Sequence, residues 1–317
     1  MKVFVTGATG FVGNALLSKL IEDGHEVTAC TRSAHSDLDK CIEEIVVGDF
    51  ALIKDWTSYL DGMEVVIHLA GRAHVMKEQV ADSVSEYRLN NTYLTSKLFR
   101  DSILMGVRRF IYLSSIKVNG EYTTRDERFD NHIKKIPVDP YGLSKYEAEE
   151  LLFSQAKDTN TEFVILRPPM IYGRGVKGNL VSLIKLISKG VPLPFGSTKN
   201  LRSLLSLTNL VNIISVVMTH PKAANEVFVV ADGLDISTSD LVRKIASVLD
   251  KSSRLIPFPK WLLVALFKAI GRKDLVDKLL SDLRLDISKA KNLLGWQPNT
   301  DIDADIKESV LSITSAE

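Results

Sequence analysis

The chain has 317 residues, of which 45% are hydrophobic and 25% are charged, and its formal net charge is +1. A chain of this length buries a large core and forms one large domain or two modest ones. The near-neutral charge gives no electrostatic argument for binding nucleic acid or an acidic membrane surface, so we expect neither as a partner.

Cys30 and Cys41 are the two cysteines, and neither belongs to a CxxC pair. This pattern indicates free thiols in a reduced, cytoplasmic protein and predicts no metal site. The first strand is followed at once by a glycine-rich turn, so we expect no signal peptide. The longest apolar run, at residues 261–267, is too short to span a bilayer. We expect this run to be buried; a dimer contact or a membrane-surface contact is the alternative.

Strands alternate with helical patterns along the first half of the chain. Residues 1–6 predict a buried strand, residues 7–13 a glycine turn and residues 14–21 a helix. Further strands are predicted at residues 27–31, 45–47, 65–69, 110–113 and 163–166, and helical patterns at residues 11–23, 82–105 and 140–157. This alternation predicts an α/β fold with a Rossmann-type, doubly wound parallel sheet.

Gly7, Gly10 and Gly13 form a GxxGxxG turn at the first strand-to-helix junction. Glycines at this junction let the backbone approach a pyrophosphate, whose charge is met by the helix N-terminus. An ordinary glycine-rich turn of an α/β protein is the alternative. We predict a dinucleotide site that comprises Gly7, Thr9, Gly10, Phe11, Val12 and Gly13.

The residues at the end of the second strand bear on the choice of cofactor. Rossmann proteins that use NAD usually place an acidic residue there, which accepts a hydrogen bond from the ribose 2′-hydroxyl. This chain has Thr31, Arg32 and Ser33 and no carboxylate at that place. Arg32 and Ser33 suit a 2′-phosphate, which favours NADP(H) over NAD(H). The alternative is an arginine that stacks on the adenine or faces solvent.

Tyr141 and Lys145 lie four residues apart in a predicted helix, so their side chains share one face. A phenol beside a fixed ammonium ionises more readily, because the positive charge favours the phenolate. The pair therefore predicts a proton donor and acceptor that works near neutral pH. A chance pairing on a solvated helix is the alternative, and the dinucleotide site upstream argues against it.

Beyond residue 170 the pattern becomes less regular, with glycine and proline clusters at residues 173–178 and 190–196. We therefore predict a Rossmann domain at residues 1–170 and a smaller C-terminal substrate-binding lobe at residues 171–317. No long linker separates the two, so we expect the lobe to be interleaved with the first domain rather than independent.

Seven ordered motifs lie at residues 7–13, 48–49, 68–71, 113–115, 141–145, 167–169 and 295–298. Through them the chain resembles, over nearly its whole length, an extended short-chain dehydrogenase/reductase of the NAD(P)-dependent nucleotide-sugar epimerase/dehydratase family. The resemblance implies a homodimer in which the helices at residues 82–105 and 140–157 form a four-helix bundle.

The resemblance implies three catalytic residues, Ser115, Tyr141 and Lys145. Ser115 would hydrogen-bond the substrate oxygen that Tyr141 protonates or deprotonates, and Ser114 is its rival, with a structural role. Lys145 would lower the pKa of Tyr141 and bind the nicotinamide ribose. His68 is expected to pack in its strand and His74 to be a polar loop residue, neither with a catalytic role.

Several further cofactor contacts follow from the resemblance. Asp49 resembles the residue that hydrogen-bonds the adenine amino group; a cap for the next turn is the alternative. Asn91 resembles an asparagine that holds the backbone and orders the lysine; a solvated helix position is the alternative. The remaining predicted cofactor contacts are Phe50, Leu69, Ala70, Gly71 and Pro168.

Asn179 and Arg202 resemble residues that contact the diphosphate of a nucleotide sugar. Asn179 opens a predicted helix, whose N-terminal amides suit a diphosphate. Arg202 suits a bidentate phosphate contact, with a surface arginine as the alternative. Leu180 and Ser115 complete the predicted substrate contacts.

These features indicate a redox enzyme that acts at C4 of a UDP-sugar. The NADP preference favours a 4-keto reductase, of the type that converts UDP-4-keto-6-deoxy-HexNAc to UDP-QuiNAc in surface polysaccharide precursor synthesis, and residues 115–121 resemble that subgroup. The alternative is a UDP-glucose or UDP-HexNAc 4-epimerase that keeps NAD tightly bound. A non-enzymatic NADP-sensing module is the second alternative, which the presence of both Tyr141 and Lys145 disfavours.

Overall fold

The computed structural model describes residues 1–35, 37–72, 83–269, 271, 276 and 279–315. The strands lie at Lys2–Thr6 (β1), Glu26–Thr31 (β2), Ile42–Val46 (β3), Val65–His68 (β4), Arg109–Leu113 (β5), Glu162–Arg167 (β6), Met170–Tyr172 (β7), Arg202–Ser206 (β8), Glu226–Val229 (β9) and Asp235–Ile236 (β10). The α-helices lie at Phe11–Glu22 (α1), Ser83–Tyr87 (α2), Leu94–Leu104 (α3), Pro140–Gln155 (α4), Asn179–Ser188 (α5), Leu207–Thr219 (α6), Thr238–Val248 (α7), Lys260–Ala269 (α8), Ser288–Leu294 (α9) and Ile302–Thr314 (α10).

Seven parallel strands form the main sheet in the order β3-β2-β1-β4-β5-β6-β9. Successive side chains of β1 point to opposite faces: Val3 and Val5 pack with α1 and α6, and Phe4 packs with α3. The strand order reverses between β1 and β4, and ligands of such sheets bind at the carboxyl ends of the strands beside that point. The predicted Rossmann-type α/β fold is therefore confirmed.

The chain returns to the main sheet well after residue 170. Helix α6 packs in the same core cluster as α1, and β9 extends the sheet beside β6. Strands β7, β8 and β10 form a separate three-stranded sheet. The predicted boundary at residue 170 falls between β6 and β7, and the main sheet continues beyond it through β9.

The predicted helix at residues 82–105 is interrupted in the structure, and residue 82 lies outside the described residues. A π-helical turn at Arg88–Tyr93 separates α2 from α3. Such turns insert one extra residue into a helix and are frequent at functional sites. A sequence period of 3.6 residues does not reveal this insertion.

The apolar run at residues 261–267 lies in α8. Leu263 is fully buried and Phe267 nearly so, whereas 71% of the Trp261 side chain is exposed. The predicted burial of this run is therefore found at Leu263 and Phe267 but not at Trp261. Among the residues that the structure describes, no helix is long and apolar enough to cross a membrane.

Candidate active site

The glycine turn lies between β1 and α1, beside the point where the strand order reverses. Gly7 has a φ of +72°, and a Cβ there would lie 2.7 Å from the backbone nitrogen of Ala70. A Cβ on Gly13 would lie 2.3 Å from the carbonyl oxygen of Ala8. Only glycine permits these close approaches, which a dinucleotide cradle at the start of a helix requires. The residues present therefore fit a nicotinamide dinucleotide.

The segment after β4 brings a second strand end to the same place. The backbone amides of Leu69 and Ala70 donate to Thr6, at 3.1 Å to its carbonyl oxygen and 3.4 Å to its Oγ1. A Cβ on Gly71 would lie 2.9 Å from Asn91 Oδ1 and 3.4 Å from Lys145 Nζ. Gly71 therefore lies between the asparagine and the lysine that the sequence predicts in the site.

The structure brings Ser115, Tyr141 and Lys145 to the carboxyl edge of β5. Ser115 caps a short 3-10 turn after β5, and its side chain hydrogen-bonds the Tyr141 hydroxyl in the first turn of α4. Lys145 Nζ donates to the carbonyl oxygen of Leu113 at 2.9 Å and lies 4.6 Å from the centre of the Tyr112 ring. This arrangement places a hydroxyl pair beside a buried ammonium.

Burial controls the protonation of this site. It lowers the pKa of Lys145 to about 8 and raises the pKa of Tyr141 to about 12, while the hydrogen bond from Ser115 lowers the latter. The sequence led us to expect that Lys145 lowers the pKa of Tyr141. In the structure desolvation is the largest effect on the pKa of Tyr141, and the Lys145 ammonium contacts the Leu113 carbonyl oxygen and the Tyr112 ring.

Asn91 is fully buried and ties the segment after β4 to α4. Its Oδ1 accepts the Arg72 amide at 2.7 Å, and its Nδ2 donates to Ser144 Oγ at 3.0 Å and to the Arg72 carbonyl oxygen at 3.2 Å. The neighbouring Asn90 instead donates to the Glu86 carbonyl oxygen, within its own helix. The π turn thus directs Asn91, rather than Asn90, into the contact with the residue before Lys145.

His68 is a fully buried side chain that joins β4 to two other elements. Its Nδ1 lies 2.6 Å from Thr6 Oγ1, and its Nε2 lies 3.0 Å from Thr95 Oγ1. Burial lowers the pKa of His68 to about 3, and the charge on Lys145 adds to this effect. The imidazole is therefore neutral and has a packing role. His74 lies outside the described residues.

A buried ion pair lies directly behind the site. Arg167 and Glu149 are at most 2% exposed, and their closest nitrogen and oxygen atoms are 2.6 Å apart. Ser114 Oγ also donates to Glu149, so Ser114 belongs to this buried network, whereas Ser115 contacts Tyr141. The sequence did not lead us to predict Glu149. Its position four residues after Lys145 on α4 is the signal that points to it.

The fold brings a carboxylate to the end of β2. Thr31 is the last residue of β2, and its Oγ1 donates to Glu44 Oε1 at 2.8 Å. The same carboxylate accepts the His35 amide at 3.1 Å. Glu44 lies on β3, so the sequence around residue 31, which itself has no carboxylate, does not reveal it. Arg32 and Ser33 are both exposed.

The remaining predicted cofactor residues lie close to strand ends. Asp49 Oδ1 accepts the Ala51 amide at 3.0 Å and caps the next turn, in which Phe50 is buried. The carbonyl oxygen of Pro168 accepts the Ile116 amide at 2.9 Å. The other predicted contacts lie in the glycine turn and the first turn of α1: Thr9, Gly10 and Val12.

The predicted substrate residues lie on two elements of the smaller lobe. Asn179 is the exposed first residue of α5 and follows Gly178, whose φ is +78°. Leu180 is buried beneath it. Arg202 begins β8, and its Nη1 donates to the Ser281 carbonyl oxygen at 3.0 Å.

Comparison with known proteins adds independent information. The profile of the "NAD dependent epimerase/dehydratase family" matches residues 3–231. A Vibrio cholerae protein named UDP-glucose 4-epimerase is 44% identical over 316 residues, which cover 99% of this chain and 96% of that protein. An Escherichia coli O157:H7 protein, N-acetyl-alpha-D-glucosaminyl-diphospho-ditrans,octacis-undecaprenol 4-epimerase, is 29% identical, with 82% of this chain and 77% of that protein covered.

A solved structure supports the fold. The UDP-glucuronic acid 4-epimerase from Bacillus cereus, in complex with NAD, superposes with a TM-score of 0.81 at 21% identity. The superposition covers 100% of this chain and 99% of that chain. At this identity the likeness is one of fold.

Proposed function

The chain belongs to the NAD dependent epimerase/dehydratase family and is an NAD(P)-dependent enzyme of nucleotide sugars, and on this premise we propose that it moves a hydride at C4 of a UDP-sugar. The observation that carries the proposal is the hydrogen bond between Ser115 and Tyr141, beside Lys145, at the strand edge where the glycine turn lies. The predictions of the family and of an enzyme are confirmed.

Three side chains have different roles in the proton transfer at the C4 oxygen. A dinucleotide held on the glycine turn supplies or accepts the hydride. Tyr141 is a phenol with a pKa raised to about 12, so it holds its proton at neutral pH and can donate it to a 4-keto oxygen. In the reverse direction the Ser115 hydroxyl stabilises the phenolate and orients the C4 oxygen. We assign Lys145 to binding of the nicotinamide ribose; its Nζ lies 3.4 Å from the position of a Cβ on Gly71, which supports this role.

Of the two reactions at C4, we favour the 4-epimerase. The relative at 44% identity carries that name, and it aligns over nearly the whole chain. A 4-epimerase oxidises C4 to a ketone, presents the other face of the sugar and returns the same hydride, so it needs no external reductant. Asn179 and Arg202 are the proposed contacts to the UDP diphosphate, because a helix N-terminus and a guanidinium both suit that anion.

The second candidate is the 4-keto reductase that converts UDP-4-keto-6-deoxy-HexNAc to UDP-QuiNAc for surface polysaccharide precursors. Arg32 and Ser33 favour it, because an exposed guanidinium and hydroxyl at the end of β2 suit the 2′-phosphate of NADPH. Such an enzyme reduces a ketone once and consumes one NADPH for each sugar.

The decisive experiment uses UDP-glucose and UDP-GlcNAc that carry deuterium at C4, incubated with the purified protein without added cofactor. A 4-epimerase yields the C4 epimer with the deuterium retained, which NMR detects. A reductase leaves both sugars unchanged and oxidises NADPH only when a UDP-4-keto-6-deoxy sugar is present. Failure of both reactions would remove C4 of a UDP-sugar as the site of chemistry.

Replacing Tyr141 tests the catalytic assignment. We expect Tyr141→Phe to reduce turnover by roughly 10²–10⁴-fold, because the proton donor is lost, and to leave dinucleotide affinity nearly unchanged. Turnover is measured with the UDP-sugar found above, and affinity by titration without sugar. Turnover at the wild-type rate would remove Tyr141 from the mechanism.

We further propose a cytoplasmic homodimer. Cys30 is buried and Cys41 exposed, and both are free thiols, as suits a reducing compartment. Leu89 and Tyr93, in the π turn between α2 and α3, are 42% and 57% exposed, which supports a contact with a second copy along these helices.

A further inference from the structure

The end of β2 is the part of a Rossmann fold that meets the adenosine ribose. The residue that reads the ribose 2′ position lies about 20 residues beyond the glycine turn. Thr31, the last residue of β2, occupies this place. We propose that the carboxylate of Glu44, which reaches the end of β2 from the neighbouring strand β3, makes the site select NAD(H) over NADP(H). The proposal rests on the proposed function only in requiring a dinucleotide on the glycine turn.

The Glu44 carboxylate is fixed at the end of β2 by donors from the segment that follows the strand. Its Oε1 accepts from Thr31 Oγ1 at 2.8 Å and from the His35 amide at 3.1 Å, and its Oε2 lies 3.3 Å from the same amide. Glu44 pairs with Ala29 across the parallel strands, so its side chain reaches two residues further along β2. A negative charge therefore lies next to Thr31, whose own side chain is buried, at the strand end that the ribose would meet.

A fixed carboxylate discriminates between the two cofactors by charge. Its two oxygens offer about four acceptor positions, so it retains capacity for a ribose 2′-hydroxyl donor, directly or through Thr31. A 2′-phosphate has no such proton to offer and carries negative charge, which the carboxylate repels. The arrangement thus supplies from β3 the acidic group that NAD-binding proteins usually carry on β2.

Arg32 and Ser33 favour NADP(H), so the cofactor preference depends on whether they or Glu44 contribute more to binding. Both side chains are exposed, so Arg32 loses rotamer freedom when it binds a phosphate. Glu44 is already held in one position by side-chain and backbone donors. We therefore give the fixed carboxylate more weight than the exposed guanidinium.

The test measures the dissociation constants of NAD+, NADH, NADP+ and NADPH for the full chain, by calorimetric titration after removal of copurified dinucleotide. We expect wild type to bind NAD(H) at least about 10-fold more tightly than NADP(H). Glu44→Gln should shift this ratio toward NADP(H) by about 10-fold. Glu43→Gln is the matched control, because Glu43 lies next to Glu44 but bonds Thr28 in mid-strand at 3.2 Å, and it should leave the ratio unchanged.

Two outcomes would overturn the proposal: a wild-type protein that binds NADPH more tightly than NADH, or a Glu44→Gln ratio equal to that of wild type. The dinucleotide that copurifies, released by denaturation and identified by chromatography, reads the same preference without any variant. If Glu44→Gln does not fold, the same ratio is measured for Glu44→Ala, which should also shift toward NADP(H); a wild-type preference for NADPH overturns the proposal in either case. All are made without sugar, so a failed assay with UDP-sugars would reject the proposed function and leave the Glu44 result standing.

Discussion

A buried ion pair lies beside the segment that carries Ser114 and Ser115. Arg167 and Glu149 join the end of β6 to α4, and Ser114 joins the same pair. A buried ion pair is costly to form, but removing one partner is costlier, because the other charge remains without compensation. Because Ser114 bonds Glu149 and is adjacent to Ser115 in the chain, this ion pair also restrains the backbone at Ser115.

Glu149→Gln therefore should lower the free energy of unfolding by about 3–5 kcal/mol, since Arg167 keeps a charge that its amide partner does not neutralise. Urea denaturation measures the loss. The control is Glu150→Gln, at the next and exposed position of α4, which should change the free energy by less than about 0.5 kcal/mol. Equal losses in the two variants would show that the ion pair has no special role.

His68 makes the stability depend on pH. The imidazole has a pKa of 6.5 in the unfolded chain and about 3 in the folded protein, because burial disfavours its charged form. Between these values the unfolded state binds a proton that the folded state does not, so stability falls as the pH decreases below 6.5. The loss from pH 7.5 to pH 5.5 amounts to about 1.4 kcal/mol.

His68→Gln should remove that part of the pH dependence. The difference in unfolding free energy between pH 7.5 and pH 5.5 should shrink by about 1.4 kcal/mol relative to wild type, whatever the overall loss of stability. Urea denaturation at both pH values measures it, with His132→Gln at an exposed position as the control. An unchanged difference in the His68 variant would mean that the imidazole titrates alike in both states.

At the scale of elements, the π turn decides which asparagine enters the site. Helices α2 and α3 each follow an ordinary helical period, and the extra residue between them turns Asn91 toward the core. Asn91 then bonds both the segment after β4 and Ser144 on α4. The turn thus joins the segment after β4 to helix α4.

Asn91→Ala should lower the free energy of unfolding by about 1–3 kcal/mol, because the part-buried Arg72 amide loses its acceptor and the buried Ser144 hydroxyl loses a donor. We also expect roughly 10-fold weaker dinucleotide binding, since Gly71 and Lys145 are held around this side chain. Asn90→Ala, which removes a bond within one helix, is the control and should have little effect on binding. Similar binding losses in both variants would contradict the distinct role of Asn91.

The sequence predicts elements well where local pattern controls them. Six strands of the main sheet and the helix with Tyr141 follow from apolar runs, glycine turns and short motifs. It missed β9, the early start of β3 at Ile42 and the π turn. Glu44 and Glu149 were not predicted either, because each bonds a residue on a different element, Thr31 on β2 and Arg167 on β6. Spacing along the chain reveals groups on one helix face, but not a contact across neighbouring strands.

At the scale of the whole molecule, the exposed face of α2, the π turn and α3 bears on assembly. Leu89 and Tyr93 lie four residues apart and are both substantially exposed. Family resemblance implies a four-helix bundle built from these helices and α4 of two copies. An exposed apolar pair at this place would be covered in such a dimer.

If the proposed homodimer uses this face, Tyr93→Glu should yield a monomer, because a carboxylate within the apolar contact would be desolvated and unpaired. Size-exclusion chromatography with light scattering measures the mass. Leu52→Glu, at an apolar position that is 76% exposed and lies outside these helices, is the control and should remain dimeric. A monomeric wild type, or a dimeric Tyr93 variant, would reject this interface.

The return of the chain to β9 has a consequence for synthesis on the ribosome. When β6 emerges, its outer edge lacks its neighbour, which is encoded about 60 residues later. At a translation rate of about 5–20 residues per second, the backbone groups at that edge of β6 remain unpaired for roughly 3–12 s. During this time the edge can pair with other chains. Strands β7 and β8 and helices α5 and α6 are synthesised during this interval. A nascent chain stalled before residue 226 should therefore recruit chaperones, and one stalled after α6 and β9 have emerged should not.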